Sequence, residues 1–303
     1  MSQSEIVVGV NGSPSSLRAA EHAGAEAARR GLPLLLLHAW QTYPLYEGSP
    51  LFSTEDVEQA EGWVLADAQA ALRRTAPDVE VRTRLRQERA DVALIEASRS
   101  AALLFAGCHG GSSFWMGPVL GHITTHAHCP VVAVPPTAAV GPGDVVVGVD
   151  GSAVSSAAVG FAFDQAARWD ATLRAVLAVT PTFDAYVASP EALDELRERG
   201  RRHLAESLAG HRDRHPDVEV QCSVSVSDAV PALQEAAAGA GLLVVGSHGR
   251  GALLRVALGS VSGSLLRAAP CPVAVVRSEH AITGHAIAEH VGADEHLVPV
   301  PLL

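Results

Sequence analysis

The sequence predicts two doubly wound α/β domains in tandem, with five strands in each, and three observations predict it. The chain has 303 residues, enough for two domains of about 150 residues that each bury a core. Val7-Val8-Gly9-Val10-Asn11-Gly12-Ser13 recurs 139 positions on as Val146-Val147-Gly148-Val149-Asp150-Gly151-Ser152. Pro77–Val81 recurs as Pro216–Val220, and Gly107-Cys108-His109-Gly110 as Gly246-Ser247-His248-Gly249, at the same spacing. The halves are therefore duplicates. Within each half, short apolar runs alternate with Ala-rich helical stretches, the order of a wound α/β sheet.

The elements follow in chain order. Ile6–Val10, Leu34–Leu37, Leu103–Ala106 and Val131–Val134 are nearly continuous in apolar character, as expected of parallel strands buried on both faces. Val145–Val149, Leu173–Val179, Leu242–Val245 and Val273–Val276 are their counterparts. A fifth run alternates instead, through Val79, Val81, Thr83 and Leu85 and again through Val218, Val220, Cys222, Val224 and Val226, which suits a half-exposed edge strand. Ser13 before Pro14, and Ser189 before Pro190, are helix N-caps with proline in the first helical position. Gly31 stops the first helix. Pro135–Gly143 is rich in proline and glycine and links the halves. The division expected is a first domain over 1–137, a connection over 138–143, a second domain over 144–277 and a tail over 278–303 with no counterpart in the first half.

Composition narrows the function. Hydrophobic residues make up 48% and charged residues 18%, an ordinary globular mixture. The net charge of −11 argues against binding a nucleic-acid backbone, which needs basic stripes. No apolar run approaches a membrane span, and the N-terminus lacks the pattern of a signal peptide. Cys108, Cys129, Cys222 and Cys271 are too few and scattered for a disulfide framework. A cytoplasmic protein with reduced thiols is expected. All 22 basic residues are arginine, which excludes Schiff-base lysines and a Walker A loop.

The sharpest chemical signal is Gly246–Ser260, which leaves an apolar strand and enters a helix near Ser260. Gly246 and Gly249 let backbone N–H groups approach an anion, and Gly259-Ser260 offers a helix N-terminus with a hydroxyl. In a doubly wound sheet, ligands sit beyond the carboxyl ends of the strands, where Asp150-Gly151-Ser152 also falls. A glycine-rich turn without a ligand, and an Asp150 that caps a helix, are the plainer alternatives.

The pattern Gly246-x2-Gly249-x9-Gly259-Ser260, with V-G-V-D-G-S before it and Cys271-Pro272-Val273 after it, resembles the ATP-binding universal stress proteins. The resemblance spans both halves, roughly residues 5–277. It implies a Rossmann-like, five-stranded parallel sheet with flanking helices in each domain, with ATP, accompanied or not by Mg2+, at the strand ends. Matched by position, Gly148, Val149, Asp150, Gly151 and Ser152 form the first strand end, with Asp150 on the nucleoside and Ala178 against adenine. Gly246, Ser247, Gly249, Gly259, Ser260, Val261 and Ser262 hold ribose and phosphates. Arg250 either adds charge for phosphate or simply solvates the loop, as does Arg255. The resemblance also implies pairing of the last strands, so that one chain forms a pseudo-dimer, with association of two chains left open.

The first half departs from the pattern. Asn11 replaces the acid, and Gly117–Pro130 lies ungapped over Gly259–Pro272 at an offset of 142. The loop after Gly110 is thus three residues short and Pro118 stands where Ser260 stands. A register through Gly111 and Gly121 is the alternative. The expectation is that the second half binds ATP and the first binds it weakly or not at all, although Ser112 and Ser113 offer replacement hydroxyls. His122 and His126, with His128 following, raise a metal site that the repeat does not support. His109 and His248 form no triad. The reading is a nucleotide-dependent regulator or sensor in stress response. A slow ATPase or other phosphate-transferring enzyme, and a scaffold that binds no nucleotide, are the alternatives.

Overall fold

The computed structural model describes residues 5–41, 54–108, 117–180, 190–249 and 258–278. The first half runs β1 (Glu5–Gly9), α1 (Pro14–Arg30), β2 (Leu34–Trp40), α2 (Thr54–Thr75), β3 (Val81–Gln87), α3 (Ala90–Ala97), β4 (Ala101–Gly107), α4 (Pro118–His126) and β5 (Val131–Val134). The second runs β6 (Val145–Gly148), α5 (Ala153–Trp169), β7 (Leu173–Ala178), α6 (Pro190–Arg212), β8 (Val220–Ser225), α7 (Ala229–Ala236), β9 (Leu242–Gly246), α8 (Ser260–Ala268) and β10 (Val273–Val276).

The strands form one ten-stranded sheet in the order β3-β2-β1-β4-β5-β10-β9-β6-β7-β8. Every neighbouring pair is parallel except β5 and β10. These two meet antiparallel, with Val131 opposite Val275 and Ala133 opposite Val273. The seam joins two five-stranded parallel sheets and covers what would otherwise be two apolar edges. One core lies between the sheet and α1, α2, α5 and α6, and the other lies on the opposite face beneath α3, α4, α7 and α8. Both cores run through the seam. In each half the order reverses between the first and fourth strands, which places the switch point at β1/β4 and at β6/β9.

Local signals explain most boundaries. Ser13 caps α1, its Oγ accepting from Ser16 N at 3.2 Å. Gly31 ends the helix at φ 62°, the left-handed geometry in which glycine carries no Cβ penalty. Its repeat partner Asp170 ends α5 in the same geometry, at φ 51°, a use that the sequence did not announce. β2 continues past Leu37 to Trp40 because His38 is satisfied inside the sheet: Nδ1 lies 2.7 Å from Val10 O and Nε2 lies 2.7 Å from Glu61. The alternating runs are the outermost strands, β3 and β8. Their middle members, Thr83 and Cys222, are exposed, since an edge strand is only partly covered. Ser189 and the tail from residue 279 lie outside the described residues.

Across the seam, α1 faces α5 through a buried polar cluster. Glu26 is 2% exposed. Its carboxylate accepts from Arg30 Nε at 2.6 Å, Gln165 Nε2 at 2.9 Å and Trp169 Nε1 at 3.0 Å. Burial alone would push the Glu26 pKa up, but the Arg30 charge and these three donors outweigh it and hold the value below the usual carboxylate range. Arg30 also reaches Gln165 Oε1 at 2.8 Å. Beside the cluster, His22 and its repeat partner Phe161 line one small cavity. His22 Nε2 is buried with no hydrogen-bond partner among the described residues. Burial lowers its pKa to about 4, and the charges of Arg18 and Arg29 add to that shift.

Candidate functional site

The second-domain strand ends are built from three short segments. After β6, Val149 is buried, and Gly151 turns the chain at φ 76°. Ser152, not Asp150, caps α5, its Oγ accepting from Ser155 N at 3.1 Å. Asp150 is tied to the same turn: Oδ1 accepts from Ser152 N at 2.9 Å, and its own N–H donates to Ser155 Oγ at 3.1 Å. Its second oxygen faces the glycine loop. A Cβ at Gly249 would lie 2.5 Å from Asp150 Oδ2, so this loop position accepts no side chain without displacing the acid.

After β9, Gly246 packs against Val154 of α5, where an added Cβ would meet Cγ1 at 2.8 Å. Ser247 is buried, with its Oγ 2.9 Å from His248 Nδ1. Gly259 N donates to Ser247 O at 2.8 Å, and Ser262 Oγ donates to Ser247 O and Gly259 O, both at 3.1 Å. The residue after β9 is therefore bonded to the start of α8. That helix begins after Gly259 with no side chain capping it, and Ser260 is exposed. The first-turn N–H groups and dipole of α8 thus favour an anion that no residue of the cap supplies.

Of the residues expected here, Asp150 and Gly249 are in direct contact, Gly259 and Ser262 are hydrogen-bonded to Ser247, and Gly246 packs against Val154 of α5. Gly148 ends β6, Ala178 ends β7 on the same side of the sheet, and Val261 is half-buried in the first turn of α8. The Ser262 hydroxyl is spent within the loop, so it secures backbone geometry. Arg250 and Arg255 lie outside the described residues, as do His109, Ser112 and Ser113.

The first-domain strand ends repeat this plan. Gly12 also has φ 76°. Asn11 Oδ1 accepts from Ser13 N at 3.1 Å, and Asn11 N donates to Ser16 Oγ at 3.2 Å. α4 starts after Gly117 as α8 starts after Gly259, again with no side-chain cap, which places the shared helix at the offset of 142. Gly121 lies inside α4, away from the helix start. Between these segments lies a cleft of about 950 Å³, open mouth included. Burial pushes the Cys108 thiol in its wall up to about 11. Sequence reasoning missed that α8 of the other domain contributes Leu266 and Arg267 to this cleft; only the β5–β10 seam brings them there.

The histidines of α4 serve other bonds. His122 Nδ1 lies 2.5 Å from Asp91 Oδ2, and His126 Nδ1 lies 3.0 Å from His122 O. Hydrogen bonds from Arg89 outweigh burial and, with His122 adding to them, hold the Asp91 carboxyl down to about 2. Among the described residues, no group of three or more His, Cys, Asp or Glu side chains is placed to hold a metal ion. Among them, too, no helix is long and apolar enough to cross a membrane.

Fold and strand ends together define a tandem doubly wound α/β protein whose two strand-end regions share one backbone plan. The family model described as the universal stress protein family matches residues 4–135 and again 143–277. Universal stress protein Rv2005c of Mycobacterium tuberculosis is 33% identical over 291 residues, covering 91% of this chain and 97% of the relative. A universal stress protein of Mycolicibacterium smegmatis is 34% identical over 297 residues, covering 90% and 96%. The chain belongs to the universal stress protein family and carries two of its domains. Among solved structures, a universal stress protein from Archaeoglobus fulgidus aligns with TM-score 0.65 at 18% identity, covering 91% of this chain and 99% of that one, a likeness of fold.

Proposed function

We propose that the second domain binds ATP and that its occupancy shifts a conformational or partner-binding equilibrium, so that the chain acts as a nucleotide-dependent regulator in stress response. The observation that carries this reading is the contact between Gly249 and Asp150. It sets the strand-end acid against a glycine loop that leads to the uncapped start of α8. In this reading Asp150 contacts the nucleoside, Ala178 lines the adenine pocket, and Gly246, Gly249, Gly259, Ser260 and Val261 hold ribose and phosphates. Mg2+ would neutralise charge on the phosphates, and Asp150 is the acid available among the residues of this reading. A shift of state requires ATP to bind one state better than the other.

Calorimetric titration of ATP into nucleotide-stripped protein tests the reading. The variants are Gly259→Ala, whose Cβ would lie 3.1 Å from His248 Cα, and Gly117→Ala, whose Cβ would meet nothing within 4 Å. One site per chain is expected, weakened by Gly259→Ala and untouched by Gly117→Ala. No binding to the intact chain would overturn the reading in favour of a scaffold, and two equal sites would overturn its asymmetry.

A further inference from the structure

The first domain keeps the cleft and discards its polar chemistry. Asp150, Ser247, Ser260 and Ser262 become Asn11, Cys108, Pro118 and Leu120 at the repeat positions, and all four replacements line the first-domain cleft. One negative charge and three hydroxyls are thereby lost. Proline at 118 also withdraws an N–H from the helix start. The serines that remain in the wall are engaged: Ser13 Oγ accepts from Ser16 N at 3.2 Å, and Ser16 Oγ donates to Ser13 O at 2.9 Å. The rest of the described lining is largely aliphatic.

One charge is added to this wall, and it comes from the other domain. Arg267 of α8 reaches the cleft and donates to Ser264 Oγ at 3.2 Å. Among the described residues no carboxylate pairs with it, and no acidic residue lines the cleft. A guanidinium at an apolar pocket matches a carboxylate in shape and charge. A triphosphate would set several charges against one arginine, with the hydroxyls of Ser247, Ser260 and Ser262 replaced at the repeat positions.

We propose that the first-domain cleft is a separate site for a small monocarboxylate with an apolar body. The body lies on Leu37, Leu94, Leu120 and Leu266, and the carboxylate lies on the Arg267 guanidinium. Such a site has the usual make-up of a small-molecule pocket, mostly apolar with one placed polar group. It stands independently of the nucleotide reading of the second domain.

Octanoate and octanol, titrated calorimetrically into the full-length chain, test the proposal. One octanoate is expected per chain, with octanol about tenfold weaker because it lacks the charge. Arg267→Gln brings octanoate down to the octanol level, and Val119→Glu, which places an acid in the wall, abolishes binding. Octanol binding as tightly as octanoate, or an unaltered affinity in Arg267→Gln, would overturn the proposal. ATP is added in a parallel arm. ATP that binds at two per chain and displaces octanoate makes the cleft a second nucleotide site and sinks the proposal. Octanoate binding to a chain that ignores ATP sustains the proposal and sinks the nucleotide reading alone.

Discussion

Set side by side, the two strand-end regions share a backbone and little else. Gly12 and Gly151 turn at the same φ, Ser13 and Ser152 cap the same helix, and Gly117 and Gly259 precede the same uncapped helix start. The differences lie in side chains that the backbone does not need, above all Asn11 against Asp150 and Pro118 against Ser260. Duplication thus preserved the parts that the fold requires and left the parts that a ligand would read free to diverge. The α1–α5 interface diverged in the same way: Glu26 and Gln165 are repeat partners, yet one is a buried acid and the other its hydrogen-bond donor.

Four experiments break or sharpen that comparison. Glu26→Ala should cost about 3 kcal/mol in urea unfolding, because it leaves the half-buried Arg30 guanidinium without its acid and Gln165 and Trp169 without their acceptor. A loss below about 1 kcal/mol would show that the asymmetric cluster does not hold the halves together. His22→Phe copies the second half into the first and should flatten the acid limb of stability. In the wild type the folded His22 value is about 4 against an ordinary 6.5, so the unfolded chain binds more protons between those values. Stability then falls as pH drops through that window, by about 3 kcal/mol in all. Glu26 acts lower: its depressed pKa gives stability that is present above the ordinary carboxylate range and lost as pH falls through its folded value. A pH profile of the melting temperature unchanged by His22→Phe would remove His22 from this account.

The third experiment weighs one glycine against its repeat partner. A Cβ at Gly107 would fall 2.5 Å from Ser15 C and 2.6 Å from Ser16 N, whereas one at Gly246 meets the Val154 side chain. Backbone gives less readily than a side chain, so Gly107→Ala should cost about 3 kcal/mol and Gly246→Ala about 1. Equal losses would mean that α1 and α5 shift with equal ease. The fourth experiment is Asp150→Asn, which gives the second domain the residue of the first. ATP affinity should fall about tenfold, within the range for a lost charged contact. Unchanged affinity would remove Asp150 from the nucleotide contacts.

Much of this fold was legible in the sequence because its signals are local or periodic. The apolar runs gave the eight inner strands, the alternating runs gave β3 and β8 as edges, and Ser13 and Gly31 marked the ends of α1. The duplicated motif puts Asp150 and Gly249 at the ends of the first and fourth strands of their half, which are neighbours in the sheet. Other features depend on long-range packing that no window of sequence contains. His38 broke an apolar run that in fact continues, because its partners Val10 and Glu61 come from other elements. Asp170 in the left-handed region follows a rule that favours glycine only on average. The Glu26–Gln165–Trp169 cluster joins residues about 140 positions apart, and nothing in either segment alone pairs them.

The antiparallel seam also sets a clock on biosynthesis. β5 is complete at Val134, but its partner β10 begins only at Val273. At about 5–20 residues per second, translation leaves the first domain waiting on the order of 7–28 s with an apolar strand edge uncovered. During that interval any other nascent copy offers the same edge. The ribosome-bound half-chain is therefore the form of this protein most exposed to mispairing and most in need of a chaperone.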